Sequence, residues 1–187
     1  MNAGIRSVLA QCGEPAPSGL CKVAQPRQWT LPFVGGTEGY RCFRIPSLLA
    51  LRNGRRLLFA EGRKNCLDGP YGDHIDVVMK ISTDLGRSWG PLRKVYGESE
   101  PTGAKPVWIT NPAPILLDDA LHHGHVILIC SRNNQNVLAL RSSDSGETFG
   151  SLPVDISAQV VLDSWKYVAT GPAAGIQLRD TGRLIVW

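Results

Sequence analysis

Charged side chains next to apolar segments are the first residues in this sequence that could do chemistry. Arg44 stands between Phe43 and Ile45 in an apolar run, where a buried charge needs a partner. Arg63 follows a second apolar run and opens the polar segment KNCLDGPYGDH, which contains carboxylates. Guanidinium groups bind planar oxyanions through paired hydrogen bonds, so an acidic small ligand is one interpretation. The alternatives are a structural salt bridge for Arg44 and an ordinary solvated side chain for Arg63.

Short apolar runs separated by turn residues predict the strands that would position these side chains. From Tyr40 onward no segment keeps helical apolar spacing over three turns, which predicts an all-β fold. The predicted strands cover 43–51, 55–62, 74–82 and 89–96 in a first unit, and 111–118, 125–132 and 136–143 in a second. Hairpin signals are Asn53-Gly54 in the first unit and 180–182 in a third unit that starts at 167.

Both complete units contain the same turn motif, S-x-D-x-G-x-x-aromatic. It begins at Ser82 and again at Ser142, sixty residues later. In such a turn the Asp accepts hydrogen bonds from nearby backbone amides, the Gly supplies a positive φ, and the aromatic ring packs on neighbouring strands. We therefore predict a structural role for the motif and no catalytic one. A repeated unit of about four strands is typical of a β-propeller blade.

Composition and charge narrow the function classes. The 187 residues are 43% hydrophobic, and 20 glycines and 13 prolines predict many turns. The net charge is only +4 and no basic run occurs, so nothing indicates nucleic acid as a partner. No apolar stretch has the length of a membrane span. We recognise no signal peptide, and the sequence leaves the compartment open.

The cysteines and histidines do not form a recognisable metal motif. The five cysteines are odd in number and contain no CxxC pair, which disfavours both a zinc ribbon and a fully paired disulfide framework. They are Cys12, Cys21, Cys42, Cys66 and Cys130. We expect free thiols in the interior, no metal site and no other cofactor. The segment DDALHHGH is predicted to be a hairpin loop.

Phe43-Arg44-Ile45-Pro46, combined with the two turn motifs, resembles the sialidase (neuraminidase) superfamily, in which such turns are called Asp boxes or BNR repeats. Three further segments, AEGR at 60–63, NPAP at 111–114 and ATGPAAGIQL at 169–178, are also similar to that superfamily. The resemblance covers about residues 40–187. It implies a six-bladed β-propeller, here truncated to about two and a half blades. Residues 1–38 would be an irregular N-terminal segment and residues 39–187 the N-terminal portion of the propeller domain.

The resemblance implies an exo-α-sialidase, a glycosidase that releases terminal sialic acid from a glycoprotein, glycolipid or oligosaccharide. Its mechanism would be retaining, with a tyrosine nucleophile. Arg44 matches the first arginine that binds the substrate carboxylate, and Arg63 one that helps hold the C4 hydroxyl. The aspartate acting as general acid/base is expected at Asp68, with Asp73 as the alternative because GPY at 69–71 looks inserted. A group that protonates a leaving oxygen needs a raised pKa, so we expect one here.

Two further polar residues are candidates for the site, and several other site groups are expected outside this sequence. Asn111 and Arg132 would either line the pocket or have simple loop roles. By resemblance the nucleophile, its glutamate base and two more arginines belong to later blades, beyond Trp187, so the chain is expected to be a fragment. The alternative function is a non-catalytic Asp-box propeller segment that binds a glycan or a protein. The FRIP motif with its downstream arginine favours the enzyme.

Overall fold

The computed structural model describes residues 29–99, 105–117 and 123–186, and these residues form mainly antiparallel β-sheets. The first sheet contains β1 (Cys42–Ala50), β2 (Arg56–Arg63), β3 (Ile75–Ser82) and β4 (Arg93–Tyr96). The second contains β5 (Ile109–Leu116), β6 (Val126–Arg132), β7 (Asn136–Ser142) and β8 (Val154–Asp155). A one-turn helix α1 (Ser157–Val160) precedes a two-stranded sheet of β9 (Ile176–Gln177) and β10 (Leu184–Ile185). The all-β prediction is confirmed.

Each four-stranded sheet follows the chain in simple order, β1-β2-β3-β4 and β5-β6-β7-β8, so the two predicted units are confirmed as repeats. The fourth strand of the first unit, β4, is shorter than the predicted 89–96, and β8, for which no range was predicted, has two residues. Gly90 and Pro91 precede β4, and Gly150 and Pro153 precede β8. Proline cannot donate to a strand ladder and glycine weakens a strand, which accounts for the late start of β4 and the short length of β8. The hairpin predicted in the third unit is present as the β9-β10 pair.

The largest apolar core lies between the two sheets. Side chains that face each other across a strand pair point into it together, as Phe59 does with Met79 and Leu128 with Leu140. This alternation of inward and outward positions is the period of two expected for strands with one face on a core. The free thiol of Cys130 is fully buried in this core, and burial raises its pKa to about 12. The core therefore fixes the two sheets against each other.

The Asp boxes have the same hydrogen bonds in both sheets. In the second, the Ser142 hydroxyl accepts from the Gly146 amide at 2.9 Å and donates to Asp144 at 2.7 Å. The Asp144 carboxylate also accepts from the Thr148 amide at 2.9 Å. Gly146 has a φ of 78°, a left-handed value that glycine adopts without strain. The motif therefore closes a turn, and its aromatic residue Phe149 packs edge-on against Phe59 of the core.

Asp144→Asn is expected to lower the free energy of unfolding near pH 7 by about 1 kcal/mol, the net value of an ordinary hydrogen bond, because solvent screens this exposed carboxylate. Burial raises the pKa of Asp144, but the hydrogen bonds from Thr148 and Ser142 outweigh burial and bring it to about 2. The stabilisation is therefore complete above the unfolded pKa of about 4 and is lost as the pH falls towards 2.

Urea unfolding at pH 7 and pH 2.5 tests this account of Asp144. The free energy of unfolding should fall less between the two pH values in Asp144→Asn than in the parent. The exposed Asp163→Asn variant is the control, and equal acid sensitivity of Asp144→Asn and the parent would contradict this account.

Several predictions fall on residues that the structure does not describe. Residues 1–28 include Cys12, Cys21 and most of the predicted irregular segment, and His122 lies in the gap at 118–122. The boundary at residue 38 stays a prediction. Within the described ranges, no helix has the length and apolar character needed to cross a membrane.

Candidate active site

The first strand of each sheet is irregular at the same point. Register shifts in the pairing of β1 with β2 and of β5 with β6 coincide with positive φ angles, 52° at Ile45 and 57° at Asn111. A proline, Pro46 or Pro112, follows each of them. Such a φ is rare for a β-branched residue like isoleucine, and strain of this kind concentrates at functional sites. The two bulges bring the starts of β1 and β5 to the same cavity.

This cavity has a volume of about 320 Å³, within the range of small-molecule sites. It lies where β1 and β5 begin, beside the end of β2 and the loop that follows β2. Four of the residues predicted for the site line it: Arg44, Arg63, Asp68 and Asn111. Tyr71 and Tyr167 are exposed side chains that also line it. The structure therefore brings together four predicted site residues that are up to 67 positions apart in the sequence.

Two guanidinium groups meet one carboxylate in the cavity. Arg44 Nη1 donates to Asp68 Oδ1 at 3.0 Å, and Arg63 Nη1 donates to the same oxygen at 2.5 Å. The side chains of Arg44 and Asp68 are 51% and 54% exposed, whereas that of Arg63 is 5% exposed. Arg44 therefore presents an accessible charge at the cavity, and Arg63 a fixed one.

Arg63 is held from behind by a buried glutamate. Glu61 Oε2 accepts from Nε and Nη2 of Arg63 at 2.9 and 2.5 Å, and Glu61 Oε1 accepts from the backbone amide of Asn111 at 3.0 Å. Glu61 thus ties the end of β2 to the bulge of β5. Burial alone would lower the pKa of Arg63, but the hydrogen bonds to Asp68 and Glu61 raise it, so its guanidinium stays charged.

The expectation of a raised pKa for Asp68 is wrong, because the structure lowers this pKa. The hydrogen bond from Arg63 is the main cause that lowers the pKa of Asp68, and the charge and hydrogen bond of Arg44 add to it. Desolvation acts in the opposite direction and is outweighed. Two cations within hydrogen-bonding distance favour the ionised carboxylate, which sequence alone did not reveal.

Asp73, the alternative acid/base residue, is fully buried and does not line the cavity within the described residues. Its carboxylate accepts from the backbone amides of Asn65 and Leu67, both at 2.8 Å. The next aspartate, Asp76, is buried on β3 and accepts from the Tyr40 hydroxyl at 2.7 Å. The geometry thus places Asp68 in the cavity and gives the other two carboxylates structural contacts. The role of Asp68 as acid/base stays a prediction.

The other two predicted site residues, Asn111 and Arg132, differ in their position relative to the cavity. The Asn111 side chain donates to the hydroxyls of Thr110 and Ser131 at 3.0 and 3.1 Å, so it is part of a buried polar cluster at the cavity wall. Arg132 instead forms a two-contact ion pair with Glu98, with both distances 2.8 Å. Arg132 is absent from the part of the cavity wall that the structure describes. Asn134 lines the wall instead.

The expectation of free interior thiols is wrong for two of the cysteines. Cys42 at the start of β1 forms a disulfide with Cys66 in the loop after β2. The two cysteines are 24 residues apart and match no sequence motif. Whether they form a disulfide depends on how the loop folds back on the strand. Sequence reasoning therefore missed a covalent link beside the cavity.

Nothing in the described ranges indicates a metal centre, because no group of three His, Cys, Asp or Glu side chains is close enough to share an ion. With cations facing a carboxylate, the arrangement is suited to a ligand that brings its own anionic group. Such a group would replace Asp68 as the partner of the accessible Arg44 guanidinium.

Sialidases are among the known proteins that this chain resembles. No sequence profile of a protein family matches the chain. An exo-alpha-sialidase of Aspergillus fumigatus is 31% identical over an alignment of 177 positions, and the match covers 79% of this chain and 41% of that protein. The Hadza microbial sialidase Hz136 has a TM-score of 0.70 at 24% identity, covering 81% of this chain and 33% of that one. Trypanosoma rangeli sialidase in complex with sialic acid has a TM-score of 0.55 at 16% identity, covering 77% and 25%. The chain thus spans about two fifths of the length of the curated relative.

Proposed function

Because the chain belongs to the sialidase superfamily over the four fifths of its length that the curated relative matches, we propose that it carries part of a glycosidase site for terminal sialic acid. The substrates would be sialylated glycoproteins, glycolipids or oligosaccharides. The observation that carries the proposal is the convergence of Arg44 and Arg63 on Asp68 in one cavity. Sialic acid has a carboxylate on its anomeric carbon, and fixed guanidinium groups are suited to that group.

Within this proposal the two arginines have different tasks. Arg44 is half exposed and its partner Asp68 is half exposed as well, so a substrate carboxylate can replace Asp68 there. Arg63 is buried and held by Glu61, so it is suited to a fixed contact with a ring hydroxyl. Asn111 contributes to the wall that surrounds the sugar.

Asp68 acts in this proposal as the general acid and base. The pKa of Asp68 is lowered, first by Arg63 and then by Arg44. A substrate carboxylate bound to Arg44 neutralises much of the Arg44 charge that acts on Asp68, and it places a negative charge near Asp68. Both changes raise the pKa of Asp68, so substrate binding itself favours the protonated form that leaving-group departure needs.

The rest of the mechanism extends beyond this chain. We propose a retaining reaction with a tyrosine nucleophile. The tyrosine, its glutamate base and further carboxylate-binding arginines would come from parts of a six-bladed propeller outside these residues. The chain, as a fragment, would supply about two and a half blades from residue 39 onward. Two four-stranded meanders and the partial coverage of the curated relative support this proposal.

A second function has one observation in its favour. The low pKa of Asp68 is typical of a structural or ligand-binding ion pair rather than of an acid ready to act. A non-catalytic propeller segment that binds a glycan or a protein would keep the same cavity. Release of sialic acid from a sialylated oligosaccharide by the complete protein separates the two, since only the enzyme produces it.

Binding of N-acetylneuraminic acid tests the proposed site in the chain itself. We expect the free sugar to bind at least about tenfold more tightly than its C1 carboxamide, because only the carboxylate forms charge-assisted bonds with Arg44. Chemical shifts of backbone amides near the cavity, followed at low ionic strength, give both affinities. Equal affinities for the acid and the amide would contradict recognition through the carboxylate.

A further inference from the structure

The loop between β2 and β3 carries Asp68 and is tied down at several points. It begins after Arg63, whose Nη1 donates to the Leu67 carbonyl at 2.9 Å. After Asp68 the chain forms one 3-10 turn, in which Gly69 lies on the ring of Trp108 with no room for a side chain. A loop without such contacts would allow a half-exposed carboxylate many positions, and each ordered residue costs about 1–2 kcal/mol of conformational entropy.

Asp73 holds the middle of this loop from the inside. Its carboxylate accepts from the amides of Asn65 and Leu67, the residues on either side of Cys66. Cys66 has a φ of 67°, so the backbone turns sharply between the two bonded amides. Asp73 is fully buried, which makes these hydrogen bonds strong and their loss costly.

The disulfide holds the same point from the outside. Cys66 is linked to Cys42, and Cys42 pairs with Arg63 in the β1-β2 ladder. Arg44 follows Cys42 by two residues, and Asp68 follows Cys66 by two residues. The covalent link therefore limits how far the Asp68 carboxylate can move from the Arg44 guanidinium.

We propose that Asp73 and the Cys42–Cys66 disulfide are positioning residues that hold the Asp68 carboxylate against Arg44 and Arg63. Asp73, Cys42 and Cys66 do not line the described part of the cavity, and the consequence of their positioning role for catalysis rests on the proposed function. Preorganisation of this kind is what a reacting group needs, because small displacements reduce catalysis strongly.

The test is a titration of the Asp68 carboxyl carbon by NMR in the chain without ligand. Arg44 and Arg63 face this carboxylate, and Glu61 is paired with Arg63, so the Asp68 pKa reports how close the loop keeps it to the two cations. We expect the pKa to rise from its lowered position towards the ordinary aspartate value of about 3.9, because the carboxylate moves away from the two cations. The rise should occur in Asp73→Asn and, separately, in the double variant Cys42→Ser with Cys66→Ser.

The matched control is Asp84→Asn in the first Asp box. Asp84 also accepts from a backbone amide, that of Ser88 at 2.8 Å, but it is not among the residues that line the cavity. This control should lose stability while the Asp68 pKa stays as in the parent. An unchanged Asp68 pKa in both folded test variants would overturn the proposal. So would unfolding of both, because these contacts would then serve the domain rather than the loop.

Failure of the positioning role and failure of the proposed function give different results. The titration needs no ligand, so it succeeds or fails independently of sialic acid. If the pKa moves as expected but N-acetylneuraminic acid and its carboxamide bind equally, the positioning holds and the proposed function fails. If the carboxylate is recognised but the pKa does not move, only the positioning fails.

Discussion

Replacing Asp68 by alanine is expected to lower kcat for sialoside hydrolysis by about 10²- to 10⁴-fold, the usual contribution of a general acid and base. Asp68 is the carboxylate that the described structure places at the cavity beside both arginines. The measurement requires the complete propeller to which we propose the chain belongs. It should use two substrates, an aryl sialoside and a sialyl oligosaccharide.

The leaving group makes this test specific. A sugar alkoxide is a poor leaving group, so its departure needs a proton from the acid. The anion of an acidic phenol is a good leaving group and departs with little help. The loss in Asp68→Ala should therefore be larger for the oligosaccharide than for the aryl substrate. A loss of the same size for both substrates would mean that Asp68 binds or orients the sugar without transferring a proton.

Local chemistry explains what the sequence predicted correctly about the fold. The Asp boxes at Ser82 and Ser142 form through contacts within a few residues, so their motif is sufficient to locate them. The strands follow from short apolar runs between turns, and the shared order of the runs revealed the repeat. The start of β4 was less predictable, because glycine and proline weaken strands to a degree that depends on their neighbours.

The candidate site was predictable in its residue types but not in its electrostatics. Arg44 and Arg63 were identified by resemblance, and the structure places them beside Asp68. The lowered pKa of Asp68 depends on two guanidinium groups reaching one oxygen, a distance that no motif encodes. Arg132 was also a predicted pocket residue, but its guanidinium pairs with Glu98, which comes from another segment of the chain.

The Cys42–Cys66 link and the Glu61–Asn111 contact were missed for the same physical reason. The disulfide depends on how the loop after β2 folds back on β1, and the Glu61 contact depends on how the two sheets pack at the bulge of β5. Five cysteines allow many pairings, and a glutamate at a strand end has many possible partners. Contacts of this kind require the tertiary structure, and they are the ones that shape the cavity.

Arg44→Ala is expected to weaken binding of N-acetylneuraminic acid by about 30- to 150-fold, which corresponds to about 2–3 kcal/mol for hydrogen bonds to a charged group. Arg44→Lys should lie between the variant and the parent, because an ammonium keeps the charge but loses the planar paired contact. The control is Arg87→Ala, an exposed arginine in the first Asp box, which removes the same charge away from the cavity.

The same substitution separates ligand recognition from a structural ion pair. If Arg44 only pairs with Asp68, Arg44→Ala raises the Asp68 pKa but leaves sialic acid affinity unchanged. If Arg44 binds the substrate carboxylate, the affinity for the acid falls to that for the carboxamide, and the carboxamide's own affinity does not change. The carboxamide therefore serves as the internal reference, because it fills the cavity without offering the charge that Arg44 recognises.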